Sequence, residues 1–214
     1  MPCDASGMAE IHRYFKVGFG EGGALIDGVA DADAAHAGVV ADHLATLSRA
    51  LHAHHEFEDA NLWDTLSERA PGCALHVTRM KQQHATMILH LGELDAALPR
   101  WRMTGKRADT EPVLEALAGV NAALAVHLPD EETNIVPVME EVLDQELVEA
   151  AAAHGRAAAS RQEMFPTLGA ILAAQPDGGE AWQRKNLPPP VRLVWRLFGK
   201  RQYERHREAL RAGR

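Results

Sequence analysis

Two stretches of the chain decide its fold, and the first reads His54-His55-Glu56-Phe57-Glu58-Asp59-Ala60-Asn61-Leu62-Trp63. The second begins 73 residues later and reads His127-Leu128-Pro129-Asp130-Glu131-Glu132-Thr133-Asn134-Ile135-Val136. In both stretches a histidine precedes a glutamate by four residues, His54 before Glu58 and His127 before Glu131. Four residues are slightly more than one helical turn, so both side chains of a pair lie on one helix face. Two such faces can form a metal site inside a helix bundle.

Two further histidines repeat at nearly the same offset. His12 and His84 lie 72 residues apart, and they precede His54 and His127 by 42 and 43 residues. The pattern predicts two helical hairpins, each with one histidine on its first helix and a His–Glu pair on its second. His36 is the alternative in the first hairpin. It has no partner at the repeat offset, and it is too close to His54 to lie on a separate antiparallel helix at the same depth.

An exposed ion pair is the ordinary explanation of one His–Glu pair on a helix. Here there are two pairs at matching positions, each with a histidine upstream and apolar residues after it. Each pair also falls within the apolar stripe of its predicted helix, which is the face that packs inward. We therefore predict a metal site. The predicted ligands are His12, His54, Glu58, His84, His127 and Glu131.

The composition indicates one medium-sized, all-α domain. The chain has 214 residues, of which 46% are hydrophobic and only 5% aromatic, and alternating β-branched runs are missing. Two cysteines, Cys3 and Cys73, do not form a disulfide framework, so we expect a reducing, cytoplasmic location. We expect no membrane span, and the net charge of −8 argues against nucleic-acid binding. A monomer or weak dimer without a membrane partner is expected.

The pattern predicts an antiparallel, up-and-down four-helix bundle over residues 8–142. We expect helices over residues 8–29, from a cap at Asp31 or Asp33 to residue 69, over 74–98 and over 110–142. The glycines at positions 18–23 predict a kink or short break in the first helix. Pro99 is expected to end the third helix. Pro129 either kinks the fourth helix or begins a new one; we expect the kink, because the first copy of the motif at His54 has no such break.

Residues 143–214 are predicted to form a helical extension that packs on the bundle, with helices near 145–159, 166–174 and 191–212. The last 31 residues, 184–214, hold ten Lys or Arg and two Asp or Glu, whereas residues 1–183 hold twelve and twenty-eight. We expect the final helix to pack through an apolar stripe, with three of its basic residues on the acidic surface; a free basic helix for a membrane or nucleic acid is the alternative. The stripe is Val191, Val194, Leu197 and Phe198, and the basic residues are Arg192, Arg196 and Lys200.

The pattern His…His-x-x-x-Glu…His…His-x-x-x-Glu resembles the hemerythrin-like, HHE cation-binding family over about residues 8–142. The stretch 187–197 looks like the extension of actinobacterial members. The resemblance implies a four-helix bundle that holds two irons joined by an oxo or hydroxo bridge. It also implies that each of the four histidines gives one ring nitrogen and that Glu58 and Glu131 bridge or chelate the irons. Independently, imidazoles together with carboxylates suit iron, manganese or zinc, and bridging carboxylates suit two metals.

The family resemblance also implies a small-molecule ligand. We expect a centre that reacts with hydrogen peroxide, nitric oxide or dioxygen in stress defence, with peroxide decomposition as the possible enzymatic activity. The alternative is an oxygen or redox sensor, or an iron store without turnover.

One expected ligand is missing from the sequence. Oxygen-carrying members have a fifth histidine one turn before the third-helix ligand, where this chain has Met80, and His76 lies too far back. Water, hydroxide or a side chain such as Tyr14 would take that place, which predicts a centre open at both irons and not an oxygen carrier. Asp59, Glu132 and His55 are either outer groups that orient ligands or solvent-facing residues.

Overall fold

Helices and the turns between them make up residues 3–212, which the computed structural model describes. The first part of the chain forms α1 (Gly7–Asp27), α2 (Ala34–Asn61), α3 (Trp63–Arg69), α4 (Ala74–Thr104), α5 (Glu111–Asn134) and α6 (Val136–Val142). Helix α2 packs on α1 and α4, and α5 packs on α4 and α1, which closes a ring of four long helices. The predicted all-α bundle is confirmed.

The core has two apolar layers with a polar layer between them. The larger apolar cluster contains Phe15, Leu44 and Leu91, whereas the smaller one lies toward the other end of the bundle and contains Trp63 and Met80. Along α1, α2 and α4 the predicted metal ligands fall between the residues of these two clusters, and on α5 they lie at the boundary, after Leu124 and before Ile135. The site is therefore enclosed above and below by packed hydrocarbon.

The glycines of α1 do not break the helix, which is continuous from Gly7 to Asp27, so the expected break is wrong. A β-carbon at Gly18 would lie 2.6 Å from Leu47 Cδ2, and one at Gly22 would lie 2.9 Å from Leu117 Cδ2. Glycine at these two positions lets α2 and α5 approach α1 closely. This packing outweighs the helix cost of glycine, which is about 1 kcal/mol relative to alanine.

Pro99 does not end the third long helix, because α4 continues through it to Thr104. The buried indole of Trp101 holds this last part of α4 in the larger apolar cluster. The helix ends at Gly105, whose φ of 60° is left-handed and where an added β-carbon would lie 2.4 Å from the carbonyl carbon of Asp33. A side chain there would be strained and would clash, so glycine sets this helix end.

The second and fourth predicted helices are each interrupted by one residue. Leu62 separates α2 from α3 and Ile135 separates α5 from α6, at positions 73 residues apart. Helix α5 runs through Pro129 as far as Asn134, so no new helix starts at the proline. The expectation that the first copy lacks a break is wrong. Both interruptions come four residues after a predicted ligand glutamate, so the repeat extends to the backbone.

Residues 143–212 form the C-terminal extension. It contains α7 (Gln145–Ala157), α8 (Met164–Ala173), the unpredicted α9 (Glu180–Asn186), α10 (Pro189–Val194), a π-helical turn (Trp195–Gly199) and α11 (Lys200–Leu210). Helix α7 contacts α2, α8 contacts α1, and α11 contacts α8 and α2. The Tyr203 ring lies directly over Gly169, so α8 and α11 are closely packed.

The extension packs through a different face from the predicted one. Trp195, Gly199 and Leu210 are buried, whereas Leu197 is 60% and Phe198 62% exposed. Val191 and Val194 are exposed as well. The π-helical turn changes the phase of the helix and directs the indole inward. The expected stripe therefore faces solvent.

Residues 111–142, which form α5 and α6, are the one segment of residues 3–212 long and apolar enough to cross a membrane by length and composition. Length and composition alone are weak evidence for a span, and the absence of a membrane span stays a prediction. Helix α5 lies in the core of the bundle, where His127 and Glu131 are buried. Its hydropathy is explained by that packing.

A pair of substitutions tests how the extension is attached. We expect Trp195→Ala to lower the free energy of unfolding by about 3 kcal/mol, because it empties a buried site. Phe198→Ala should change it by less than about 0.5 kcal/mol, because that ring is in solvent. Urea unfolding followed by circular dichroism measures both. Equal losses in the two variants would contradict the observed orientation.

A second contact of the extension is sensitive to pH. His206 Nε2 lies 3.4 Å from His43 Nδ1, and Arg207 forms an ion pair with Glu21 beside them. Burial, followed by the charge of His206, lowers the pKa of His43 to about 4 from 6.5, although Glu21 opposes this shift. The unfolded chain takes up a proton that the folded chain resists. Stability is therefore lost as the pH falls from 6.5 toward 4.

We expect His43→Gln to remove roughly 3 kcal/mol of the decrease in the free energy of unfolding on acidification, since one pKa unit corresponds to about 1.4 kcal/mol. The measurement is urea unfolding of the variant and the parent across this pH range. His90→Gln, which changes a more exposed histidine paired with Glu93, is the matched control and should keep the pH dependence of the parent. The interpretation is wrong if the two variants behave alike.

Candidate metal centre

The structure brings all six predicted ligands together in the polar layer. His12 comes from α1, His54 and Glu58 from α2, His84 from α4, and His127 and Glu131 from α5. Five of them are at most 1% exposed, and His54 is 13% exposed. Burying six polar side chains at one point is costly unless they have a partner.

The donor atoms form two groups. One group contains His55, Glu58, His84 and His127, and the other contains His12, His54 and Glu131. Within each group the donor atoms lie within 4.8 Å of one another. Each group therefore has the dimensions of a site for one cation.

The two carboxylates link the groups. One oxygen of Glu58 lies 3.3 Å from His54 Nε2, and the other lies 3.5 Å from His84 Nε2. Oε2 of Glu131 lies 3.3 Å from His12 Nε2 and 3.5 Å from His127 Nε2. Each glutamate thus contacts one histidine of each group. This arrangement suits carboxylates that bridge two metals.

Within residues 3–212 the inward-facing atoms have no partner at hydrogen-bond geometry. These buried atoms are Nε2 of His12, His54, His84 and His127, both ring nitrogens of His55, and both carboxylate oxygens of Glu58 and Glu131. Buried polar atoms in proteins are nearly always satisfied, so this concentration needs an explanation. Cations bound by the nitrogens and oxygens would satisfy them, and the donor set fits iron, manganese or zinc.

His55 is a candidate ligand that the sequence pattern did not select. The residue at its repeat position is Leu128, so the 73-residue rule does not select it. It is 1% exposed, its ring stacks on His84 with centroids 4.1 Å apart, and it belongs to the larger donor group. The solvent-facing alternative for His55 is wrong. Its spacing of three residues from Glu58 was the available signal, because such residues can share a face.

His55 therefore offers a fifth imidazole for the position that Met80 leaves open. Met80 is fully buried in the smaller apolar cluster with Trp63. Tyr14 is buried beside Phe15, outside both donor groups, and burial raises its pKa although Thr167 hydrogen-bonds to it. The absence of a histidine at position 80 therefore no longer implies a centre that is open at both metals.

The two rival histidines also lie outside the donor groups. Nε2 of His36 lies 3.1 Å from the carbonyl oxygen of Leu210, so His36 holds the end of α11. His76 lies on α4 and joins neither group. The preference for His12 over His36 agrees with this placement.

Three side chains orient the ligand imidazoles from outside. Asp59 Oδ1 lies 2.8 Å from Nδ1 of His84, and Glu132 Oε1 lies 2.9 Å from Nδ1 of His12. The residue after each ligand glutamate thus contacts a histidine on the neighbouring helix. With Nε2 directed at a metal, Nδ1–H donates to the carboxylate, which fixes the ring and strengthens its basicity.

Gln83 takes the same role toward His127. Its Oε1 lies 3.1 Å from Nδ1 of His127, and its amide nitrogen donates to Asp130 at 2.9 Å. The repeat could not predict this neutral partner, because neither Gln83 nor Asp130 was selected by the motif.

Burial acts against charge on most of the cluster. It raises the pKa of Glu58 well above its usual range, with the charge of Glu131 adding to the effect. It lowers the pKa of His54 to about 3 and that of His127 to about 4. The uncharged imidazole, which is the form that binds metals, is therefore favoured.

The pKa values of His12 and Glu131 shift in the direction that favours charge, because these two side chains contact each other. Burial alone would lower the pKa of His12, but Glu131 and Glu132 outweigh it and raise the pKa to about 9. Burial would likewise raise the pKa of Glu131, but His12 outweighs it and the pKa falls to about 2. A bound cation would take the place of the His12 charge at the carboxylate.

A test of His55 compares it with a histidine one turn earlier. We expect His55→Leu to weaken metal binding at least about 100-fold. Even the loss of a residue that only hydrogen-bonds to a ligand lowers metal affinity about 10- to 100-fold. His52→Leu, which removes a 30% exposed ring paired with Asp95, should bind metal like the parent. Metal analysis and calorimetric titration measure both. Full metal binding by His55→Leu would remove it from the ligand set.

One family model matches the chain, the Hemerythrin HHE cation binding domain, over residues 5–139. The match covers the four long helices and every residue of the two donor groups. No curated protein and no solved structure matches the chain. The match confirms the resemblance seen in the sequence and leaves the actinobacterial type a prediction.

Proposed function

Because the chain belongs to the hemerythrin HHE cation-binding family, we propose that it holds two iron ions and reacts with a small oxidant. Hydrogen peroxide is the first candidate, followed by nitric oxide and dioxygen, in defence against oxidative or nitrosative stress. The observation that carries the proposal is the pair of carboxylates shared between two buried donor groups of unequal size.

The donor set favours two iron ions over a single structural metal. Seven protein donors, five of them imidazoles, exceed the four of a closed zinc site, and no cysteine is among them. His55, His84 and His127 would hold one ion, His12 and His54 the other, and the two glutamates both. Bound iron would supply one-electron redox chemistry and open positions for a small ligand.

The two-histidine position is the place for that ligand. His12, His54 and Glu131 offer one donor fewer than the other group, which leaves more of the coordination sphere free. His54 is also the most exposed of the seven donors, and the Phe15 ring lies 5.4 Å from its centroid. A small molecule would approach along the His54 side, with Phe15 limiting its size and excluding water.

The apolar layers set the size of the substrate. Packed apolar side chains above and below the centre favour a diatomic molecule or peroxide over a larger metabolite. Glu132 and Asp59, about 40% and 38% exposed, connect the Nδ1 atoms of His12 and His84 to solvent. These carboxylates can hold a proton at Nδ1 and orient the rings while the charge of the centre changes.

Reversible oxygen binding or redox sensing is the second candidate, and His55 favours it. With His55 the imidazoles divide three to two, so one ion is nearly surrounded and the other is open. The argument against an oxygen carrier depended on both ions being open. The extension packed on α1 and α2 offers a route by which the state of the centre could reach a partner.

The same proposal places the protein in the cytoplasm. Cys3 and Cys73 are both buried and free, and no disulfide is formed in residues 3–212. A reducing compartment keeps such thiols reduced.

The decisive experiment uses the purified, iron-loaded protein. We expect about two irons per chain by metal analysis, and oxygen release on addition of peroxide, measured with an oxygen electrode. His54→Ala should lose most of this activity and iron at the two-histidine position, because it removes a donor there. His52→Ala is the matched control on the same helix.

Three results would contradict the proposal. A protein that binds no metal would overturn the site, and one that binds a single ion would overturn the two-metal reading. An iron protein that is inert to peroxide and nitric oxide, but forms in air an adduct removed intact under vacuum, would favour the oxygen-binding alternative.

A further inference from the structure

One face of the extension is both apolar and basic. Five apolar side chains that are 41–62% exposed lie within eight consecutive residues, on α10 and the π-helical turn. They are Val191, Leu193, Val194, Leu197 and Phe198. The basic residues among and beside them are Arg192, Arg196, Lys200 and Arg201. We refer to these nine residues as the apolar–basic face.

Arg192 and Arg196 of this face also line a cleft. It has a volume of about 300 Å³ and lies between α9 and α10. Arg192 and Arg196 reach it from one side and Arg184 from the other, where Arg184 lies 3.6 Å from its only acidic residue, Glu180. The cleft is therefore positive and open to an anionic group beside the exposed hydrocarbon.

The bundle does not neutralise this face. Within residues 3–212 neither Arg192 nor Arg196 has an acidic partner, and Lys200 contacts only Glu204 of its own helix, at 3.9 Å. The expectation that these residues pair with the acidic surface is wrong. Other basic residues do so instead: Arg207 pairs with Glu21 and Lys185 with Asp4.

We propose that the apolar–basic face binds the surface of an anionic lipid bilayer, with Leu197 and Phe198 inserted among the acyl chains. The arginines then contact lipid phosphates, with the cleft as one phosphate position. An exposed apolar stripe flanked by Lys and Arg is typical of helices that lie in the membrane interface. This replaces the expectation of no membrane partner, which assumed that the stripe packs on the bundle.

The charge distribution also orients the molecule. Residues 184–214 carry ten basic and two acidic side chains, hence +8, whereas residues 1–183 carry twelve and twenty-eight, hence −16. An anionic surface attracts the first part and repels the second. The bundle would therefore stand away from the membrane, with the extension below it.

Two other occupants fit less well. A second copy placed face to face would bring two positive faces together, which like charges oppose. A nucleic acid would use the arginines but would leave five large apolar side chains in water. A bilayer uses both features of the face.

The test is co-flotation of the iron-loaded protein with vesicles of phosphatidylcholine, with or without phosphatidylglycerol. We expect binding only when phosphatidylglycerol is present and a loss of binding at high salt. Arg192→Gln with Arg196→Gln should weaken binding at least about tenfold, since each basic residue near such a surface contributes about fivefold. Leu197→Asp with Phe198→Asp should abolish it.

The control variants distinguish binding through this surface from non-specific adsorption. Leu89→Asp changes a leucine on α4 that is 67% exposed, and Lys106→Gln with Arg107→Gln removes two exposed charges from a loop; both should bind like the parent. All variants should keep their iron content, melting temperature and peroxide activity, because they lie outside the centre. A loss of iron would signal misfolding, so these readings keep failure of the surface distinct from failure of the site.

Several outcomes overturn the proposal. One is equal binding to neutral vesicles, and another is unchanged binding by the Leu197 and Phe198 double variant. A dimer that dissociates in that variant on analytical ultracentrifugation would assign the face to a second copy. Tight, salt-sensitive binding of a labelled DNA duplex without vesicle binding would assign it to nucleic acid.

Discussion

The constraint on which the structure depends is the burial of seven histidine and glutamate side chains, which could hold metal ions, without enough partners among themselves. Water is excluded, so their lone pairs and charges are left unsatisfied at a cost of several kcal/mol if no cation is present. The opposite pKa shifts of Glu58 and Glu131 express this conflict: one carboxyl is driven toward neutrality and the other toward charge, by the protonated ring of His12. Metal binding then contributes directly to folding stability, because the ligands are arranged only in the folded chain.

The 73-residue repeat explains how one chain meets this constraint twice. Each ligand glutamate is followed by a carboxylate that contacts the ring of a neighbouring helix, Asp59 at His84 and Glu132 at His12. The repeat alone would give two donor groups with the same number of ligands. The asymmetry comes from one substitution within the repeat, His55 opposite Leu128, which adds an imidazole to one group and hydrocarbon at the matching point. A difference of one side chain thus separates a well-surrounded position from an open one.

What the sequence could predict follows from what helical spacing determines. Residues four apart share a face, so the His–Glu pairs, their convergence and the bundle were accessible from the pattern. For His55 the only signal was its spacing of three residues from Glu58, which leaves open the side of α2 that meets α4. The uninterrupted α1 depends on Leu47 and Leu117 filling the space left by two glycines. The orientation of residues 191–199 depends on a π-helical turn that places Trp195 inward. In each case a tertiary contact decided what local preference left open.

The extension and the centre are joined through α1. The Nε of Arg13, the residue after His12, donates to the buried amide of Gln175 at 2.8 Å, and that amide donates to the carbonyl oxygen of Glu10 at 3.1 Å. Gln175 follows α8, against which α11 packs. A small movement of His12 on ligand exchange would therefore act on packed elements of the extension, since close-packed interfaces transmit displacement. These contacts connect α1, which carries His12, with the extension, which carries the apolar–basic face.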